Sequence, residues 1–228
     1  MRFFDDYKRK RLLIKGMKLY KQNKLEDSNQ CLDEVLKLDP NDEEVWYLKS
    51  IIFMLMDNLD DAVNCLEHVI KINPKSISAW QDKGKFLNKL GNYHEALKSS
   101  EEALKLNADN YKALSNKGYS LMNLKNYQES LRYYNKAIEL NPEYFKVWSY
   151  KAMLLGRLEK NEEALQCFEK ATVLKPTNVH AWSGKGLALE MLGKHEEALK
   201  CLNKALELDP NAEFPKKGKE DIMLKMEK

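Results

Sequence analysis

Residues 183–201, SGKGLALEMLGKHEEALKC, bring three kinds of reactive group into one run. Ser183-Gly184-Lys185-Gly186 has the glycines and lysine of a phosphate-binding loop. His195-Glu196 has the start of a metalloprotease helix, and Cys201 has the sulfur of a metal ligand. A phosphate loop needs a strand before it and Ser or Thr after its lysine, but Lys194 is followed by His195. A zinc-protease helix needs a second histidine one turn after the first, where this chain has Leu199. His68, His94, His180 and His195 lack a Cys, Ser or carboxylate at triad or metal-site spacing. The expectation is a protein that is not an enzyme, with no catalytic residue, metal or cofactor.

Composition narrows the remaining classes. The 228 residues carry 38 Lys plus Arg against 35 Asp plus Glu, a net charge of +3. That balance disfavours nucleic acid as the partner. No apolar run approaches the ~18 residues of a membrane span. The start, MRFFDDYKRKRLL, has acids where an export signal needs an apolar segment, so the expected location is cytoplasmic.

A period organises the chain. Tryptophan stands at 46, 80, 148 and 182, cysteine at 31, 65, 167 and 201, and five of six prolines at 40, 74, 142, 176 and 210. All differ by multiples of 34, which divides the chain into repeats 9–42, 43–76, 77–110, 111–144, 145–178 and 179–212. The eighth position of each repeat is small: Gly16, Ser50, Gly84, Gly118, Ala152 and Gly186. So is the twentieth: Ser28, Ala62, Ala96, Ser130, Ala164 and Ala198. Apolar residues recur at helical spacing on either side of a turn, so each repeat reads as two helices, close-packed through the small positions. Acids at 27, 61, 95, 129, 163 and 197 open the second helix, where they complement its dipole. Proline at the thirty-second position closes it, because it has no N–H and its ring clashes.

The third repeat departs from this pattern. Ser100 replaces a large residue and Ala108 replaces proline. Its second helix is therefore expected to be the least well packed, or to run on toward Tyr111. Each conserved-spacing tryptophan is expected to bury ~150–250 Å². Cysteines one repeat apart sit on neighbouring helices whose axes are ~8–10 Å apart. That is too far for a disulfide, and the thiols read as small apolar core groups. The lysine at the seventh position (15, 49, 83, 117, 151 and 185) is expected to pack its stem and extend its ammonium to water.

These residues resemble the tetratricopeptide repeat, whose pattern of Trp, Leu-Gly, Tyr, two Ala and Pro at fixed offsets covers residues 9–212 in register. The resemblance implies an all-α fold, a right-handed alpha-alpha superhelix of six helix-turn-helix repeats plus a C-terminal capping helix over 213–228. In that last segment Ile222, Met223 and Met226 would face the sixth repeat, and Glu220 occupies the small position. Residues 1–8 form an N-terminal segment in which Phe3, Phe4 and Tyr7 act as a cap or as a docking element.

In peptide-binding members of the family the first helices line the concave face. Carried over position by position, the peptide-binding candidates are Tyr47, Ile51, Met54, Lys85, Asn88, Lys89, Lys112, Asn116, Tyr119, Asn123, Lys146, Tyr150 and Arg157. Leu13, Met17, Tyr20, Leu48 and Leu55 make the early part apolar. Over all lining positions seven basic residues face Glu44, Asp82 and Glu190, a balance of +4. The residues of the family's chaperone-carboxylate clamp are not all present. The implied function is a non-enzymatic scaffold holding an extended, acidic and partly apolar peptide of another protein. The alternative is a scaffold that self-associates, as a homo-oligomer, through its ends or apolar groove.

Overall fold

The computed structural model describes the backbone of residues 2–226 and the side chains of residues 6–226. The side chains of Phe3 and Phe4 lie outside the described residues. Thirteen helices and no strand are present among the described residues. They form two compact halves, residues 1–108 and 109–228.

The first half contains α1 (Arg2–Lys21), α2 (Leu25–Leu38), α3 (Glu43–Leu55), α4 (Leu59–Ile72), α5 (Ile77–Leu90) and α6 (Tyr93–Leu106). Each odd-numbered helix packs on the helix that follows it, and α2 on α3 and α4 on α5 continue the stack. Leu32, Val35, Val45 and Ile52 make one core, and Leu66, Val69, Phe86 and Leu87 are central to the next. The second half contains α7 (Tyr111–Asn123), α8 (Tyr127–Leu140), α9 (Phe145–Arg157), α10 (Asn161–Leu174), α11 (Val179–Met191), α12 (His195–Leu208) and α13 (Glu213–Met226). Its helices pair in the same way, and α7, α9, α11 and α13 also touch side by side in that order.

The turn inside every pair has one geometry. Asn23, Asp57, Gly91, Lys125, Glu159 and Gly193, spaced by 34, all have positive φ between 58° and 82°. The next amide donates to a carbonyl five residues back, as Asn58 N does to Phe53 O at 2.9 Å and Lys160 N to Leu155 O at 3.0 Å. This is the Schellman closure, which satisfies the last carbonyls of the first helix. Glycine fills the left-handed position in only two of the six turns.

Close approach explains the small residues. A Cβ added at Gly118 would lie 2.6 Å from the Tyr134 ring, and one at Gly186 would lie 2.9 Å from Leu202. Where the twentieth position is serine, its hydroxyl donates to the carbonyl of the opposing glycine: Ser28 to Gly16 at 2.8 Å and Ser130 to Gly118 at 2.6 Å. A polar group therefore sits in the interface without an unmet bond.

Several expectations need correction. Helix α6 does not run on toward Tyr111; it ends at Leu106, capped by extended backbone at Asn107. Termination therefore does not require the proline, because the cap N–H returns to the Ala103 carbonyl as in the proline-bearing repeats. Ser100 is buried and donates to Ala96 O at 2.9 Å. The tryptophans are only partly buried, and each indole N–H donates to the carbonyl of the proline six residues earlier. Trp46 reaches Pro40 at 2.9 Å, Trp80 Pro74 at 3.0 Å, Trp148 Pro142 at 2.8 Å and Trp182 Pro176 at 2.8 Å. Ala108, in the proline's place, is followed six residues later by Leu114, which is buried and makes no such bond.

The seventh-position lysines do not simply reach water. Lys49 Nζ donates to Asp33 Oδ1 at 2.5 Å and Asn29 Oδ1 at 2.6 Å, Lys83 to Glu67 at 2.7 Å, and Lys185 pairs with Glu169 at 3.2 Å. Each acid lies sixteen residues back, on the second helix of the preceding pair. Lys15 is exposed. At the far end Ile222 is buried against Leu189, Cys201 and Leu202, but Met223 and Met226 are half-exposed, so only the first of the three faces the core. Tyr7 is 64% exposed.

Candidate functional site

The opening stretch is structural. Gly186 admits Leu202, Lys185 pairs with Glu169, and Cys201 is a buried thiol in the last core. All four cysteines are buried and free. Burial pushes the Cys65 thiol up to about 12 and raises Cys167 and Cys201 as well. Such thiols stay protonated and unreactive. Among the described residues no cluster of His, Cys, Asp and Glu could hold a metal ion. No helix among them is long and apolar enough to cross a membrane.

The candidate surface is therefore the face made by the first helix of each pair. In the first half it comprises parts of α1, α3 and α5. Tyr47 and Met54 are half-buried against the core shared by α4 and α5, and Ile51 is half-buried beside them. Leu13, Tyr20 and Leu48 also pack on core, so less of the apolar stretch faces solvent than its composition suggests. Met17 and Leu55 are the exposed part, joined by Ile14, which is missing from the candidate set. The Tyr47 hydroxyl donates to Asp82 Oδ2 at 2.6 Å. Burial and that carboxylate hold the Tyr47 phenol well above its ordinary range. Asn88 is buried, Lys85 is half-buried with its ammonium 5.0 Å from the Phe86 ring, and Lys89 is exposed.

In the second half the face comprises α7, α9 and α11. Lys112 is exposed, Asn116 buried, and Lys146 half-buried. Tyr119 and Tyr150 lie with ring centroids 4.8 Å apart. Burial pushes the Tyr150 phenol up to about 12. Asn123 donates through Nδ2 to Tyr119 O at 2.9 Å and accepts at Oδ1 from Arg157 Nη2 at 3.4 Å. Met153, Leu187 and Met191 are exposed alongside. Glu190 is paired with Lys225 of α13 at 2.6 Å. Position counting missed two neighbours of these residues: Lys225, outside the repeats, which pairs with Glu190, and the buried Tyr134, on a second helix, whose ring centroid lies 6.3 Å from that of Tyr150.

Models of the tetratricopeptide repeat match residues 19–83, 77–110, 111–144, 133–166 and 179–212. The chain belongs to the tetratricopeptide-repeat family. No curated protein matches it significantly. Among solved structures it is similar to a chain of the APC/C hetero-tetramer Cut9-Hcn1, with a TM-score of 0.81 and 15% identity. That match covers 92% of this chain and 42% of the other, so the protein spans less than half of that relative. A tetratricopeptide repeat protein from Parabacteroides merdae aligns with a TM-score of 0.79 and 20% identity over 93% of this chain and 83% of its own. The type IV pilus biogenesis factor PilW aligns with a TM-score of 0.77 and 17% identity over 92% and 97%. At these identities the likeness shows the fold. The coarse role follows from the family, whose arrays are typically non-enzymatic scaffolds for protein–protein interaction.

Proposed function

We propose that this tetratricopeptide-repeat protein holds an extended, acidic and partly apolar segment of another protein against its first-helix faces. The observation that carries this reading is the state of the acids on those faces. Asp82 accepts from Tyr47, and Glu190 is paired with Lys225. In the second half Lys225 neutralises Glu190 and leaves no lining acid to oppose Lys112 and Arg157. In the first half Asp82 keeps its charge beside a neutral phenol and Glu44 is exposed, but Lys10, Lys21, Lys85 and Lys89 outnumber them. Low-dielectric helix walls focus such a charge on an anionic ligand. Met153, Leu187 and Met191 supply adaptable apolar contact beside it. Buried, free thiols suit a reducing compartment such as the cytoplasm.

The test is charge reversal in each half separately. Lys85→Glu with Lys89→Glu, and Lys112→Glu with Arg157→Glu, are measured by fluorescence anisotropy against an acetylated, amidated hexapeptide alternating leucine and glutamate. Each pair should weaken binding at least about tenfold at low salt, and less so at high salt where the field is screened. Thermal melts by circular dichroism should be unchanged. Equal affinity with both halves reversed refutes the reading.

Self-association is the second reading, and α13 favours it. Phe214, Met223, Leu224 and Met226 are all exposed on this terminal helix. Light scattering of the wild type and of Leu224→Glu decides it: a monomer in both removes the alternative.

A further inference from the structure

We propose that the outer face of α1 binds the surface of an anionic lipid bilayer, with a stripe of cations at the headgroup phosphates and an adjoining apolar stripe at the acyl boundary. The inference is separate from the groove reading and goes beyond it.

Stacking shows which positions of a first helix bury apolar groups. The third position of the second to sixth repeats is Val or Ala at 0% exposure, from Val45 to Ala181. The tenth is buried as well, as at Ile52, Phe86 and Leu154. In the first repeat these two positions are Arg11 and Lys18, and both are exposed. Lys15 stands between them at the seventh position, exposed too. With Lys8 they recur at alternating helical steps of three and four residues, so they form one stripe. Among the described residues the ion pairs of α1 are made by Arg9 and Lys10, and none holds Arg11, Lys15 or Lys18. Glu34, the α2 carboxylate that acts on Lys8, is bonded to Lys37 at 2.5 Å. Like charges one turn apart repel, so the stripe costs the free helix stability that an anionic surface restores. A merely solvated face is served by mixed signs, as on α13, where exposed Lys217 stands one turn from Glu220 and Asp221.

The adjoining stripe selects the occupant. Tyr7, Ile14 and Met17 share one row of α1 with Lys10 and Lys21, and all five are exposed. Ile14 is 68% exposed, well beyond what solubility favours. At about 100° per residue the two stripes together cover roughly half of the helix circumference. Nucleic acid supplies phosphates but no apolar layer for Ile14. A peptide held in the groove meets Ile14, but Arg11, Lys15 and Lys18 lie outside the groove-lining positions. A bilayer supplies both layers at once: phosphates across a plane, and acyl chains beneath them. Tyrosine suits the boundary between the two, and lysine stems lie along the apolar layer while their ammonium groups stay at the phosphates. A helix used in this way lies on the surface and does not cross it.

The test is flotation of the full-length protein with vesicles of phosphatidylcholine, and with vesicles of one part phosphatidylserine to two parts phosphatidylcholine. Wild type should float with the anionic vesicles only, and less at high salt. Arg11→Gln, Lys15→Gln and Lys18→Gln combined should lower the partition coefficient about a hundredfold, at roughly fivefold per cation. Ile14→Ser should lower it about fivefold while its salt dependence stays the same. All four side chains are exposed, so circular dichroism melts should match wild type. Lys112→Glu with Arg157→Glu should leave flotation unchanged even where it weakens peptide binding, which separates this proposal from the groove reading. Failure to float with either vesicle leaves α1 a solvated face and overturns the proposal. Equal flotation with neutral vesicles, or full flotation of the triple variant, overturns it as well. If vesicles do not bind and the triple variant loses the leucine–glutamate hexapeptide, the face takes acidic protein instead. If vesicles do not bind and the triple variant turns a wild-type oligomer into a monomer by light scattering, it takes a second copy. Either result overturns the bilayer as its occupant.

Discussion

Removing Asp33, an exposed acid, should destabilise the protein more than replacing Lys49, the buried base it pairs with. The Lys49 side chain is 5% exposed and that of Asp33 50%. Lys49 holds its ammonium between Asp33 at 2.5 Å, Asn29 at 2.6 Å and the Phe53 ring at 5.3 Å. Asp33→Ala strands a cation inside the stack with one neutral acceptor. Losing one partner of a fully buried pair costs ~3–5 kcal/mol. Because Asp33 is half in water, about 2 kcal/mol is expected, a drop of roughly 4–8 °C in Tm for a chain of this size. Lys49→Met keeps the packed stem and returns Asp33 to solvent, so it should cost under about 1 kcal/mol. The parallel pairs grade the effect: the lysine is 15% exposed in Lys83–Glu67 and 21% in Lys185–Glu169. The order of cost should be Asp33→Ala, then Glu67→Ala, then Glu169→Ala. Urea midpoints by circular dichroism measure it, with hydrogen exchange localising the loss, because repeat arrays need not unfold as one unit. Equal costs across the three acids, or a larger loss for Lys49→Met than for Asp33→Ala, would refute the reasoning.

Two other outcomes follow from the turns and the buried thiols. Lys125 and Glu159 are left-handed at φ 64° and 60°, so glycine at either should raise stability by about 0.5–1 kcal/mol in thermal melts. Gly91→Ala, at φ 82° with open space around it, should lower stability by a similar amount. Cys65 is raised from 9.0 to about 12 by burial, so the folded state keeps a proton that the unfolded chain loses. That contribution is complete below pH 9 and is lost as pH rises from 9 toward 12. Urea midpoints should fall over that window, and fall less steeply in Cys65→Ala.

The sequence alone determined the repeat. Tryptophan, cysteine and proline at multiples of 34, with small residues at two fixed offsets, are enough, because a helix pair recurring at constant length must bury the same face each time. Helix polarity was legible for the same reason, from the acids that open each second helix. What the list of types could not contain is which groups meet across neighbouring helices. Three of the seventh-position lysines, Lys49, Lys83 and Lys185, find carboxylates sixteen residues back, a partner set by stacking rather than by any motif. The tryptophan–proline bonds had their spacing in plain view, but their donor and acceptor did not follow from it. The left-handed turn position is glycine only twice in six, because the Schellman hydrogen bonds hold Asn23, Asp57, Lys125 and Glu159 there. The candidate face was divided in the same way. Counting positions found Tyr119, Tyr150 and Arg157, whereas tertiary packing withdrew Asn88 and Asn116 into the interior and buried a second-helix phenol, Tyr134, with its ring 6.3 Å from that of Tyr150. Periodicity assigns a residue to a side of its own helix; only the packed neighbours decide how deep it lies and whether its polar atoms find partners.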